Sequence, residues 1–271
     1  MQRRHIVIAP LLLALAVFVF KYLTSERFVN PETGRVAHVA LSPGQEAALG
    51  LQSYQEVLSN EKVITQGPDV EMVQRVVKRL EAATGPGGAN FEWEVSVVKS
   101  DAVNAFCLPG GKIVVYTGIL PVAQSESGLA AVLGHEMAHA TSRHGAQRLY
   151  QNDMMQTLLN GAQASIALSD MDSGKRTAVM AALGAGAKYG ALLPFSRNHE
   201  SEADGMGLLY MARAGYDPNE AIRFWQRMSE TTGGAHLPAY LSTHPSNAAR
   251  IAQLNSLLPK ALEEYQKASK P

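Results

Sequence analysis

The chain has 271 residues, 46% of them hydrophobic, and its 24 basic and 24 acidic side chains give a formal net charge of +0 at pH 7. This length and apolar content allow a substantial core, and one folded domain behind a short N-terminal element is the simplest interpretation. The absence of a lysine- or arginine-rich run argues against a nucleic-acid partner, and the single cysteine, Cys107, excludes an intramolecular disulfide.

The N-terminal segment indicates membrane attachment. Arg3 and Arg4 precede an apolar run from Ile6 to Phe20, which is short against the roughly 20 residues that cross a bilayer. A cleaved secretory signal and an uncleaved signal anchor both fit, but the run continues past Ala14-Leu15-Ala16, which favours the anchor. The two arginines place the rest of the chain outside the cytoplasm, on the periplasmic side in a bacterium. We assign residues 1–24 to this element.

The folded domain is predicted to begin after a linker. Residues 25–41 contain proline and glycine and show little periodicity, so the domain is assigned to residues 42–271. Its first helix, from Gln45 to Leu58, follows a capping box that begins at Ser42. A second helix is predicted from Asp69 to Ala83. Its apolar face consists of Val70, Val73, Val76, Val77 and Leu80.

A small β-sheet is predicted next. Apolar and polar residues alternate from Phe91 to Val97, which indicates a half-buried strand. The segments Ala105–Leu108 and Ile113–Thr117 flank a glycine-rich turn, so we expect them to pair as a hairpin. An edge strand of such a sheet can hold an extended peptide by main-chain hydrogen bonds. The same pattern also fits an ordinary hairpin without a binding role.

The most informative stretch is H-E-M-A-H, residues 135–139, within an apolar helix predicted to run from Ser125 to Leu149. Residues four apart share a helix face, so His135 and His139 can bind one metal ion from adjacent turns. Glu136 lies about 100° round the helix, where it can act on water without binding the metal. Two histidines and a carboxylate would be costly to bury in an apolar helix without a partner. The pattern therefore predicts the zinc-binding helix of a peptidase.

A catalytic zinc site needs a third protein ligand. The segment Ser196–Asp204 begins a later helix, on which Glu200 and Asp204 share a face while Glu202 points away. We select Glu200 as the ligand and Asp204 as the acceptor for the free N–H of a ligand histidine. A solvated acidic first turn is the alternative, because carboxylates are favourable there.

Taken together, these motifs resemble a known family. HEMAH, SRNHESEAD, Ser242-Thr243-His244-Pro245 and Ala249-Arg250-Ile251 occur in the order found in membrane-associated zinc metallopeptidases. That family includes the CAAX prenyl protease, the HtpX heat-shock protease, the Oma-type mitochondrial inner-membrane protease and periplasmic assembly proteases. The similarity spans Leu41 to Leu257 and is closest to the Oma-type and periplasmic members, because the many spanning helices of the CAAX prenyl protease are missing.

The resemblance implies an α+β fold, mainly helical, with a gluzincin-like core and a small β-sheet beside the H-E-x-x-H helix. It implies a zinc metalloendopeptidase that cleaves misfolded or membrane-associated envelope polypeptides. Glu136 and His244 are the catalytic candidates, His244 as a fourth ligand of a closed state or as a donor to the oxyanion. One Zn²⁺ per chain would be bound by His135, His139 and Glu200.

The resemblance also assigns supporting roles. Arg250 would stabilise the loop of His244, and the main chain of three residues would bind substrate, namely Asn104, Ala105 and Phe106. His144 lies five residues after His139, so we expect it off the metal face, as a residue that supports a ligand or the fold and not as a ligand itself.

Three later segments complete the prediction. The Ala- and Gly-rich stretch Ala178–Leu193 contains Lys188, which favours a buried or membrane-surface helix near the active site over a second membrane span. Helices are expected over Asp217–Met228 and Ala248–Leu258. The charged tail, Lys260–Pro271, is expected to fray.

A second class of function stays open at this stage. The zinc could be structural, in a peptide-binding chaperone where His244 closes the fourth position. Glu136 favours the peptidase, because a purely structural zinc site has no use for a base beside its ligand.

Overall fold

The computed structural model describes residues 7–181, 195–230, 238–244 and 248–268. Their backbone is mainly helical with two small sheets, which confirms the predicted fold class. The described residues belong to two compact units. The smaller unit lies within Met1–Phe28, Val36–Ala40 and Ala146–Leu193, and the larger within Val29–Arg35, Leu41–Gly145 and Pro194–Pro271.

The smaller unit is built on helix α1 (Ala9–Thr24), which packs against the part of helix α6 (His144–Ala167) that lies in this unit. A Cβ on Gly161 would lie 2.2 Å from the Cβ of Ala14, so the two helices approach closely. Lys21 Nζ, in the last turn of α1, donates to Asp153 Oδ1 of α6 at 2.8 Å.

Helix α1 exposes much of its apolar surface. Leu13 is 67% exposed, Phe20 66% and Leu23 72%. The helix has 16 residues. Across the described ranges, none of the helices has both the length and the hydropathy needed to traverse a bilayer.

The segment interpreted as a linker contains regular structure. Strands β1 (Glu26–Val29) and β2 (Val36–Val39) form a two-stranded sheet. The residues of the turn between them, 30–35, belong to the larger unit. The side chain of Asn30 shapes this turn, because its Oδ1 accepts from the Glu32 N–H at 2.9 Å.

The larger unit begins with two helices close to the predicted bounds. Helix α2 (Pro43–Asn60) starts with the expected capping box, in which Ser42 and Gln45 bond reciprocally. Helix α3 (Pro68–Ala83) buries the predicted face and adds Ala83 to it. Both helices contribute to the fold around the sheet that follows.

That sheet has four strands in the order β3-β4-β6-β5. Strand β3 (Val63–Ile64) pairs with β4 (Glu94–Val98), which runs parallel to β6 (Lys112–Tyr116). Strand β5 (Ala105–Leu108) pairs antiparallel with β6 as the predicted hairpin and forms an edge. Its turn uses positive φ angles, of 80° at Gly110 and 90° at Gly111, which glycine adopts readily.

The short helix α4 (Leu120–Ala123) leads to the central helix α5 (Glu126–Thr141), which is buried from Gly128 onward. The sequence predicted an uninterrupted helix to Leu149, and this is wrong. Arg143 takes a φ of 54° and α6 starts at the next residue. The break follows from tertiary contacts, because Arg143 Nε donates to the buried carboxylate of Glu46 at 3.0 Å.

Four further helices lie in the described part of the larger unit. They are α7 (Arg197–Arg213), α8 (Asn219–Glu230), α9 (Ala239–Thr243) and α10 (Ala248–Ala268). The prediction of a helix end at Leu258 and a tail that frays from Lys260 is wrong, because α10 continues through Pro259 to Ala268; residues 269–271 lie outside the described ranges. Tertiary packing stabilises this extension, since Ala261 is 0% exposed. Residues 173–181 are helical, so the first four residues of the predicted helix Ala178–Leu193 are described. The rest of that segment lies outside the described residues.

Candidate metal centre

Four buried side chains converge between helices α5, α7 and α9. They are His135, His139, Glu200 and His244, and one possible ligand atom of each lies within 4.8 Å of the others. Nε2 of His139 lies 3.1 Å from Nε2 of His135 and 3.3 Å from Oε1 of Glu200. Nδ1 of His244 lies 3.0 Å from the same Glu200 oxygen. The structure thus brings together the three ligands predicted from spacing and the fourth group suggested by resemblance.

The electrostatics of this cluster favour a cation. Burial and Arg250 lower the pKa of His135, but hydrogen bonds to Asp204 and Glu200 outweigh them and raise it to about 9. Burial alone would raise the pKa of Glu200, yet its contacts with the histidines hold it well below its usual range. A buried carboxylate beside several imidazole nitrogens is therefore balanced either by a proton or by a metal ion.

The donor set fits zinc. Two imidazoles, one carboxylate and one further position match the composition of catalytic zinc sites. Burial holds the pKa of His139 well below its ordinary value, so this imidazole is neutral and can offer a lone pair. The site therefore provides the ligand types that a zinc ion requires, and zinc binding would release the proton that His135 holds in the metal-free cluster.

Glu136 lies beside this cluster and is not part of it. Glu136 is 3% exposed, and its Oε1 has no hydrogen-bond partner among the described residues. Nε2 of His244 lies 3.5 Å from that oxygen. A buried carboxylate oxygen without a donor is costly, so its retention next to four potential ligands suits a group that acts on water or substrate.

Asp204 and Arg250 support the cluster from the side of α7 and α10. Asp204 Oδ1 lies 3.0 Å from Nδ1 of His135, the arrangement that orients a ligand histidine. Arg250 Nη2 donates to the same Asp204 oxygen at 2.7 Å, and its Nη1 donates to Glu200 Oε2 at 2.8 Å. Arg250 thus contacts the proposed carboxylate ligand directly. The sequence prediction had placed it farther from the metal, as a residue that stabilises the His244 loop.

Sequence reasoning missed the partners of His144. Its Nδ1 lies 3.0 Å from Nδ1 of His139, and its Nε2 lies 2.9 Å from Oε2 of Glu202. The turn between β1 and β2 also contacts Glu202, through Asn30 and Arg35. No local pattern signals these contacts, because they join segments far apart in the chain.

The predicted substrate residues lie on and next to edge strand β5. Ala105 is 1% exposed, and the ring of Phe106 packs 6.1 Å from that of Tyr116. The carbonyl of Asn104 accepts from the Tyr116 N–H at 3.1 Å, inside the sheet. Strand β5 packs against α5, the helix that carries Glu136. Burial raises the pKa of the neighbouring Cys107 thiol, and the charge of Glu136 raises it further.

Comparison with known proteins agrees with this geometry. The sequence model of peptidase family M48 matches residues 69–258. The chain belongs to this family. It is 37% identical over 245 residues to the mitochondrial metalloendopeptidase OMA1 of Schizosaccharomyces pombe, a match that covers 89% of the chain and 68% of the relative.

Two relatives with lower sequence identity also match most of the chain. Metalloendopeptidase OMA1 of Homo sapiens is 31% identical over 262 residues, covering 93% of the chain and 49% of that protein. The putative beta-barrel assembly-enhancing protease of Vibrio cholerae is 30% identical over 226 residues, covering 82% of the chain and 46% of that protein. The chain therefore spans about half the length of these two relatives.

Membership in family M48 confirms the resemblance seen in the motifs. It also confirms the predicted class, a metalloendopeptidase, and the predicted cofactor, zinc, for which the buried cluster offers one site.

Proposed function

We propose that this M48 peptidase hydrolyses internal peptide bonds of misfolded or membrane-associated envelope proteins, with zinc held by His135, His139 and Glu200. The observation that carries the proposal is the convergence of these three side chains beside Glu136, whose buried Oε1 has no hydrogen-bond partner among the described residues. When bound, zinc polarises the scissile carbonyl and activates water for attack at neutral pH. A purely structural zinc site would not explain a buried base at this position.

Glu136 acts as the general base in this proposal. Its free Oε1 accepts a proton from the attacking water and then delivers it to the leaving amine. The acceptor must be ionised and close to the cluster, and Glu136 follows His135 directly on α5. This side chain therefore acts on the reaction without serving as a ligand.

His244 has two proposed roles in the catalytic cycle. In the described conformation its Nδ1 contacts Glu200 at 3.0 Å, which suits a closed state in which the imidazole takes the fourth ligand position. If that ring moved away from Glu200, an N–H of the same side chain could stabilise the developing oxyanion. We propose both roles, the first at rest and the second during hydrolysis.

The edge of β5 is the proposed substrate-binding strand. Asn104 and Tyr116 form a hydrogen-bonded pair, and such pairs alternate along an antiparallel ladder. The main-chain groups of Ala105 and Cys107 therefore point to the outer edge of the sheet. Ala105 is 1% exposed in the described conformation, so an extended peptide would pair with them only after this closed state has opened. Within the predicted Asn104-Ala105-Phe106 segment, Ala105 is the residue we assign to main-chain recognition.

We further propose that the N-terminal segment attaches the protein to a membrane and that the peptidase domain, assigned to residues 42–271, acts outside the cytoplasm. The exposed apolar side chains of α1, among them Leu13, Phe20 and Leu23, support attachment. The basic start, Arg3 and Arg4, supports the orientation.

Cleavage of an unfolded protein tests the proposal. We expect the purified full-length chain to cut labelled casein, chelation to stop cleavage, and zinc to restore it. Glu136→Gln should bind zinc with unchanged stoichiometry while losing about 10²–10⁴-fold in rate, the range for loss of a general base. Cleavage by Glu136→Gln at the wild-type rate would refute the mechanism. Suppression of casein aggregation without any cleavage by the wild type would identify a zinc-stabilised chaperone instead.

A further inference from the structure

A line of buried polar contacts leads away from the metal cluster. Nδ1 of His139 lies 3.0 Å from Nδ1 of His144, whose Nε2 lies 2.9 Å from Glu202 Oε2. His144 is 0% exposed, and the side chain of Glu202 is 7% exposed. These contacts lie on the side of His139 opposite its Nε2, the atom that faces Glu200.

The turn between β1 and β2 fixes Glu202. Arg35 donates from Nε to Glu202 Oε2 at 2.7 Å and also forms an ion pair through Nη2 at 2.6 Å. Thr33 Oγ1 donates to Oε1 at 2.7 Å, and Asn30 Nδ2 donates to the same oxygen at 3.0 Å. Both carboxylate oxygens are thus held by donors from one short segment, in addition to His144.

The direction of each hydrogen bond follows from this arrangement. A carboxylate paired with arginine only accepts, so Nε2 of His144 must donate to Glu202. The Nδ1 of a neutral His144 must then accept, and Nδ1 of His139 must donate to it. That tautomer of His139 places its lone pair on Nε2, toward the cluster. Glu202 thereby determines which nitrogen of His139 is available to a metal ion.

We infer that Glu202, oriented by Arg35 and acting through His144, is the positioning residue that sets the tautomer and orientation of the metal ligand His139. The inference rests on the proposed function, because it takes His139 as a ligand, and it extends the site to the turn formed by residues 30–35. Outer partners of this kind change metal affinity by about 10–100-fold.

A merely structural role is the competing explanation, since any buried ion pair affects stability. The chain offers a matched control in Glu46, whose carboxylate is also 7% exposed and pairs with buried Arg143 at 3.0 Å. The described ion pair of Glu46 is with this arginine, whereas Glu202 pairs with His144 beside the metal cluster. Glu46→Gln and Glu202→Gln should therefore destabilise the fold in similar ways, whereas only the second should affect the metal.

Metal binding by the full-length chain provides the test. After removal of metal, zinc is titrated against a competing chelator, and Co²⁺ is added separately to record its visible absorption bands. We expect Glu202→Gln and Arg35→Met to weaken zinc binding about tenfold and His144→Phe about 100-fold. The cobalt bands should shift in all three variants, and Arg35→Lys should restore part of the affinity. Glu46→Gln should bind zinc and cobalt like the wild type.

Unchanged zinc affinity and cobalt bands in Glu202→Gln and His144→Phe, with losses in stability like that of Glu46→Gln, would overturn the inference. The outcome for the proposed function is read separately. A wild-type chain that binds zinc but cleaves no casein would refute the peptidase proposal without affecting the positioning role. Loss of zinc from Glu202→Gln with full retention in Glu46→Gln would support that role even then.

Discussion

Gly207 of α7 contacts α5 so closely at Gly134 that a Cβ on Gly207 would lie 2.7 Å from the backbone nitrogen of His135. A Cβ on Gly134 would likewise lie 2.9 Å from the carbonyl oxygen of Gly207. Neither helix backbone can give way easily. The distance between the helix that carries two histidines and the helix that carries Glu200 therefore depends on the absence of a side chain at this crossing.

Gly207→Ala should push α5 and α7 apart and weaken zinc binding. Overpacking of a core typically costs about 1–3 kcal/mol, which exceeds the roughly 1 kcal/mol that alanine gains over glycine in a helix. Urea unfolding and zinc titration measure the two effects. Gly205→Ala on the same helix is the matched control, because its Cβ would make an ordinary contact of 3.5 Å with Leu257. Equal zinc affinity in both variants would show that helix separation does not limit the site.

Arg250 offers a second prediction, because its guanidinium lies 3.5 Å over the ring of Trp225 while donating to Asp204 and Glu200. Arg250→Met leaves two buried carboxylates without this donor, so it should lower the free energy of unfolding of the metal-free protein by about 3–5 kcal/mol. Arg250→Lys should recover only part, since an ammonium cannot stack and bridge two carboxylates in the same way.

Zinc should reduce the effect of that substitution, because the metal ion supplies positive charge to Glu200. Urea unfolding of Arg250→Met with and without zinc measures the difference. A loss of equal size in both conditions would mean that Arg250 acts on packing alone.

Metal removal gives a third prediction. Zinc binds the folded cluster but finds no such site in the unfolded chain, so zinc at about 100 times its dissociation constant should raise the free energy of unfolding by about 2.7 kcal/mol. The measurement compares thermal unfolding in chelator and in zinc. His139→Ala removes a group within the cluster and should abolish the shift. A full shift in that variant would place the zinc elsewhere.

Local helix geometry explains why the centre of the site could be predicted. The pairs His135–His139 and Glu200–Asp204 are each four residues apart, and that spacing alone determines a shared face. His244 and Arg250 came from family resemblance, because their distances to the cluster are set by the fold. The hairpin at residues 25–41 was missed since its stabilising contacts are remote.

The remote contacts have no sequence signature. Glu202 binds Asn30 across 172 positions of the chain and Arg35 across 167. The break after α5 depends in the same way on Arg143 and its distant partner Glu46, a contact that overrides local helix preference. Sequence periodicity predicts which face of a helix or strand is buried. It does not predict which distant polar side chain will contact that face.

The register of β5 yields the last prediction. The paired Asn104 and Tyr116 leave the main-chain groups of Ala105 and Cys107 directed to the outer edge of the sheet. A peptide substrate that pairs there loses a hydrogen bond when the matching amide is N-methylated. We expect N-methylation at one or two positions near the cleaved bond to raise KM about tenfold. The reason is the loss of a net hydrogen bond, worth roughly 1 kcal/mol, together with the added steric clash.

Alternation along the strand makes this prediction specific. Methylation at the intervening positions of the peptide should have little effect, because those amides point away from β5. A scan of singly methylated peptides, with KM and kcat measured for each, therefore distinguishes strand pairing from recognition of side chains. Equal sensitivity at consecutive positions would contradict pairing with the edge of β5, since a strand presents only every second amide to its neighbour.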